Sequence, residues 1–192
     1  MAQRMQQQKL ERDENIYLTK ENPPGSDEKV IDACARSAYN NNRTYEGCSR
    51  CVLKGINEHL RMVEDNEALD ACVKASTAMA AGVARMGETC GAMTGAIMAL
   101  GMEFGSADMR EFDKYVDTMS LSKELFLKFR EIYGTVNCIE IQSKVLGRKY
   151  DFTIETDRDA WYAEGGLDRC PRVCATAAAL AAEIILKHRK TK

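Results

Sequence analysis

Residues 46–62 read EGCSRCVLKGINEHLRM, and in them Cys48, Val52, Ile56 and Leu60 recur at every fourth position. At roughly 3.6 residues per turn, that interval lays one apolar stripe along a helix. The same pattern extends in both directions. Upstream, Ser26 followed by Asp27 and Glu28 forms a helix start, and Val30, Ile31, Cys34 and Ala38 follow at helical spacing until about residues 40–42. Downstream, helices are expected over residues 67–85, 89–104, 120–133, 138–146 and 171–187, the last rich in alanine. Residues 148–169 are polar, with Tyr150, Phe152 and Ile154 alternating, and read as a packed loop or short extended segment that would serve as a lid. The fold class is therefore all-α, a bundle of about six or seven helices with one long loop near residues 148–169.

Composition narrows the function. The 192 residues suit one domain, and 27 Lys+Arg against 29 Asp+Glu leave a net charge of −2, without the basic footprint of a nucleic-acid binder. The uncharged apolar stretches, residues 89–102 and 175–182, are too short to insert in a membrane. Residues 1–25 lack apolar periodicity and end in Pro23, Pro24 and Gly25, which marks a polar N-terminal arm ahead of a single helical cysteine-rich domain over residues 26–192. The N-terminus has no secretory pattern, so a cytoplasmic location is expected. Eight cysteines are too few for a disulfide-built scaffold, and in a reducing compartment they point to metal or redox chemistry.

Four of them fall at expected helix starts. Cys48 follows Gly47, Cys90 follows Thr89, Cys138 follows Asn137, and Cys170 precedes Pro171, a residue favoured at the first helical position. A helix N-terminus presents free N–H groups and partial positive charge, which favours the thiolate form that binds metal or attacks disulfides. Cys34 and Cys72 lie within helices and read as core. Gly87, Gly91, Gly95 and Ala99 form a stripe without side-chain bulk, so Gly91 and Gly95 mark a close approach of a neighbouring backbone or of a cofactor beside Cys90. Met79, Met86, Met93, Met98 and Met102 read as adaptable core filler.

The strings carry a resemblance. CGAMTG at residues 90–95, CSRCVL from Cys48, IYGTVNC ending at Cys138 and CPRVC at residues 170–174 resemble the C-GCAxxG-C-C family of redox-active proteins. The resemblance implies a redox role, often beside oxidoreductase or transporter genes, and a likeness to the iron-sulfur domain of split-Soret cytochromes. It assigns that role to Cys48, Cys90, Cys138 and Cys170, with Cys51 and Cys174 outside the family pattern. A haem-attachment CxxCH is lacking, so a cytochrome function does not carry over.

Four chemistries remain open. Four thiolates from four helix starts would hold an iron-sulfur cluster for electron transfer or redox sensing. The pair Cys48 and Cys51 has the spacing of a thiol-disulfide motif without its βαβ context. Cys48, Cys51, Cys170 and Cys174 would supply a tetrahedral zinc site. A non-catalytic helical interaction module needs none of these. The partner implied by the first two is a redox protein or oxidoreductase complex, with a homodimer left open. No hydrolytic triad, P-loop or dinucleotide fingerprint is present.

Overall fold

The computed structural model describes residues 26–190, and the arm expected over residues 1–25 lies outside them. Among the described residues the chain forms eight α-helices and one 3-10 turn, with a single isolated β-bridge and no strand. They are α1 (Ser26–Tyr45), α2 (Cys48–Leu60), α3 (Asn66–Ser76), the 3-10 turn Thr77–Met79, α4 (Gly91–Phe104), α5 (Phe112–Tyr133), α6 (Cys138–Leu146), α7 (Glu155–Ala163) and α8 (Gly166–Arg189). No helix among them is long and apolar enough to cross a membrane.

The all-α class follows from the periodicities, and the core is built on four of the helices. Most of the stripe of α2 is inside, with Val52 and Ile56 at 0% exposure and Leu60 at 5%, while Cys48 at its start is half-buried. Helix α4 is the central rod: Ala92, Met93, Gly95, Ala96, Ala99 and Leu100 are buried, so it is apolar around most of its circumference, as a helix enclosed on several sides must be. It packs between α2 and α8, while α1 covers the other side of α2 and α8. Small residues set the spacing. A Cβ on Gly55 would lie 2.6 Å from the Ala38 backbone nitrogen, so α1 and α2 meet nearly backbone to backbone. On α8 the buried positions Ala177, Ala178, Ala181 and Ala182 are likewise small.

Several boundaries differ from the sequence reading. Residues 148–169 do not form a long loop: residues 147–154 are irregular, Glu164 and Gly165 make a short turn, and α7 together with the start of α8 takes up the remainder. The physical reason is that α7 buries Trp161 alone, which leaves no apolar stripe to read. Two further helices than the lower count result. Helix α5 begins at Phe112 rather than near residue 120, because Phe112, Tyr115, Val116 and Met119 are exposed and give no burial pattern. The helix expected over residues 67–85 stops at Ser76, and residues 80–85 form an unusual turn described below. Of the methionines, Met93 is core, whereas Met79 and Met86 are exposed.

Candidate functional site

Three of the four cysteines expected at helix starts are found there. Cys48 is the first residue of α2, Cys90 is the N-cap of α4, and Cys138 opens α6 behind Asn137, whose side chain accepts the Glu140 N–H. Cys170 is a correction. Gly165, with φ 89°, starts α8 early, so Cys170 lies inside that helix and Pro171 occupies an interior position instead of the first one. There Pro171 lacks the N–H that would have bonded the Leu167 carbonyl.

Local contacts then bring these starts together. Thr89 and Asn137 form the antiparallel bridge, in which the Cys90 N–H donates to the Val136 carbonyl at 2.8 Å and the Cys138 N–H to the Glu88 carbonyl at 2.5 Å. Helices α4 and α6 thus begin side by side. A Cβ on Gly91 would lie 2.4 Å from Cys48 Sγ, and one on Gly95 would lie 2.2 Å from the Ser49 carbonyl oxygen. The absence of both side chains lets the start of α2 rest on α4. As a result Cys48, Cys90, Cys138, Cys170 and Cys174 all line one cavity of ≈ 130 Å³.

The other cysteines stand apart from that cavity. Cys51 does not line it, and its thiol donates to the Glu46 carbonyl at 2.9 Å. Cys34 is buried in the core, its thiol turned to the Ile56 carbonyl, and Cys72 packs against the same core at its edge. His59 pairs with the Ser37 hydroxyl at 2.8 Å.

The cavity is wrapped by a stretch of backbone in the left-handed region. Ala81, Gly82, Val83, Ala84 and Arg85 have φ of 53°, 73°, 58°, 54° and 73°. Each non-glycine residue held this way costs roughly 1–2 kcal/mol, and a β-branched valine is a particular outlier. The turn is held by its own bonds, including Ala84 N–H to the Ala78 carbonyl at 2.7 Å. It places Ala81 and Arg85 on the cavity wall and brings Gly82 so near α6 that a Cβ there would lie 2.8 Å from Cys138 Cβ. Strain of this kind concentrates at functional sites.

Electrostatics overturn the expectation of low thiol pKa values. Burial raises Cys48, and the N–H groups of Ala81, Ser49 and Gly91 oppose it without prevailing. Burial, with charge repulsion from Cys138 and Cys48, holds Cys90 well above the ordinary thiol range. Cys138 is pushed up to about 11 by burial, against a hydrogen bond from Gln142. Cys170 and Cys174 are raised in the same way, by burial first and neighbouring thiols second, with the Trp161 side chain opposing the shift at Cys170. The helix-start N–H groups do act on these thiols, but desolvation is the larger effect. Burial therefore favours the neutral thiol at each of these positions.

Further residues complete the wall, among them Asn42, Gln142, Arg158, Trp161 and Tyr162. Gln142 Nε2 donates to Cys138 Sγ at 3.4 Å, while Gln142 Oε1 and the Trp161 Nε1 are buried without a partner. Tyr162 closes the rim by donating to the Glu46 carboxylate at 2.7 Å. Gln142 could have been found by its spacing, four residues after Cys138 on one helix, as Cys174 follows Cys170. Trp161 had no local signal.

The donor set can be tested against the groups proposed for it. Among the described residues no three His, Cys, Asp or Glu side chains stand close enough to hold one metal ion. The cavity thiols are soft donors spread around a wall, the ligand type that iron-sulfur clusters take.

No curated protein and no solved structure matches the chain. A family profile, "Putative redox-active protein (C_GCAxxG_C_C)", matches residues 46–184, a span that runs from the residue before Gly47 into α8 and includes all five cavity thiols. With that span well over half its length, the chain belongs to the C_GCAxxG_C_C family of redox-active proteins.

Proposed function

We propose that the cavity thiols hold an iron-sulfur cluster and that the protein serves electron transfer or redox sensing. The observation that carries this reading is the meeting of Cys48, Cys90, Cys138 and Cys170, from four different helices, around one cavity. Burial makes free thiolates unfavourable there, so binding of a cationic centre would release protons and settle the sulfur charge. When bound, the cluster would supply one-electron chemistry. The chain's own part is to fix four sulfurs, exclude water behind Trp161 and Phe152, and carry hydrogen bonds to sulfur from Gln142 and from the backbone around Ala81 and Gly91. The partner on this reading is a protein electron donor or acceptor.

A single zinc ion held by Cys48, Cys51, Cys170 and Cys174 fits less well, because Cys51 turns its thiol to the Glu46 carbonyl. That contact, and burial that pushes Cys51 up to about 12, also counts against a reactive Cys48–Cys51 dithiol. Anaerobically purified protein should absorb visible light, bleach with dithionite, and contain iron and acid-labile sulfide in comparable amounts. Zinc in place of iron, or colourless protein that takes up neither metal, would end this reading.

A further inference from the structure

Two residues of the cavity wall bring buried polar atoms with no partner: Trp161, 8% exposed, through its indole Nε1, and Gln142, 1% exposed, through Oε1. A buried donor left unpaired costs on the order of 1–3 kcal/mol, so an acceptor belongs opposite the indole. The Gln142 amide has already committed an N–H to Cys138 Sγ. The indole N–H makes no full hydrogen bond, although it lies beside Cys170, whose thiol it steadies against burial, and its seat is closely shaped. Its ring meets Phe152 edge-on at 5.5 Å and 77°. A Cβ on Gly166 would lie 2.1 Å from two atoms of the ring, so only glycine at the start of α8 leaves the indole its place.

We propose that the Trp161 N–H donates a hydrogen bond to a sulfur atom of the centre held by the cavity thiols, and that this bond sets the centre's reduction potential. The inference rests on the iron-sulfur reading above. One-electron reduction, with the electron delivered by a protein redox partner, adds negative charge to the sulfur framework. An N–H directed at sulfur stabilises the more negative state and raises the potential. Trp161 exchanges neither electron nor proton. Gly166 is a positioning residue, acting through the ring it admits.

The test compares full-length wild type, Trp161→Phe, Trp161→His and Gly166→Ala, each reconstituted anaerobically with iron and sulfide. Metal and sulfide content are measured first, then the midpoint potential by spectroelectrochemical titration. Trp161→Phe and Gly166→Ala should keep their iron and become harder to reduce by about tenfold in the equilibrium constant, about 59 mV for one electron. Trp161→His, which retains a ring N–H, should recover part of the shift. An unchanged potential in iron-replete Trp161→Phe overturns this inference and leaves the iron-sulfur reading standing, whereas wild type without iron and sulfide overturns both. If Trp161→Phe fails to hold the centre, wild type decides. Trp161 is the single tryptophan of the chain. Pulsed EPR of the reduced, indole-¹⁵N-labelled protein should show coupling to one nitrogen bearing an exchangeable proton, and no coupling would overturn the inference.

Discussion

At the scale of residues, the cysteines divide by what surrounds them. Cys90 is the N-cap of the most enclosed helix and stands between Cys48 and Cys138, so Cys90→Ser should abolish most of the visible absorption and iron content. Cys170→Ser should lose less, because Cys174 lies one turn further along α8 on the same cavity and offers a replacement sulfur. Metal analysis of the two variants side by side checks this ordering. Cys34→Ala, by contrast, should leave iron content intact and lower stability by about 1 kcal/mol, the scale of a small core deletion. The separation of Cys34 from the site was legible in sequence, since it lies mid-helix on an apolar face. The thiol pKa directions were not. A helix start can be read from a cap, but the desolvation that outweighs it depends on residues brought from α6, α7 and α8.

At the scale of elements, α4 contains its own control experiment. A Cβ on Gly95 would press against the Ser49 backbone at 2.2 Å, whereas one on Gly101 would meet nothing within 4 Å. Gly95→Ala should therefore destabilise by roughly 1–3 kcal/mol, through forced movement of α2, and reduce metal loading with it. Gly101→Ala should stabilise by about 0.5–1 kcal/mol through helix propensity alone. Urea midpoints of the two variants distinguish packing from propensity within one helix. The left-handed turn gives another case. Val83 is 43% exposed and has φ 58°, so Val83→Gly removes strain of roughly 1–2 kcal/mol against a backbone entropy cost of about 0.5–1 kcal/mol. A net gain of under about 1 kcal/mol is expected in the same unfolding measurement. Nothing in TAMAAGVAR distinguishes this turn from a continued alanine-rich helix, except the glycine in its middle. Its conformation is held by backbone bonds within the turn, from Ala84 N–H to the Ala78 carbonyl and from Glu88 N–H to the Gly82 carbonyl.

At the scale of the whole molecule, pH couples to the shared burial of the thiols. In metal-free, reduced protein, Cys138 is raised from 9.0 to about 11 and its neighbours move in the same direction. Between those values the unfolded chain has released thiol protons that the folded chain still holds, so the folded state binds more protons and stability falls as pH rises. Thermal unfolding of the reduced apoprotein should shift to lower temperature from about pH 9 upward, while the metal-loaded protein, whose sulfurs are already deprotonated, should show a flatter profile over the same range. Equal slopes for the two forms would contradict the assignment of these thiols as ligands.

The chain itself determined which stretches become helices wherever an apolar stripe or a cap is local, as in α2, α4 and α6, because such signals lie within a few residues of one another. It also marked Cys48, Cys90 and Cys138 at helix starts and Gly91 and Gly95 as places of close approach. What only the tertiary structure decided is how sulfurs 42, 48 and 32 residues apart share one cavity. That depends on the Thr89–Asn137 bridge, on the bare faces of Gly91 and Gly95, and on Gly166 admitting the Trp161 ring. The first two are contacts between segments distant in sequence, and the third joins α7 to the start of α8. Periodicity describes a segment's own faces, and which partner a face meets is settled by the packing of the complete core.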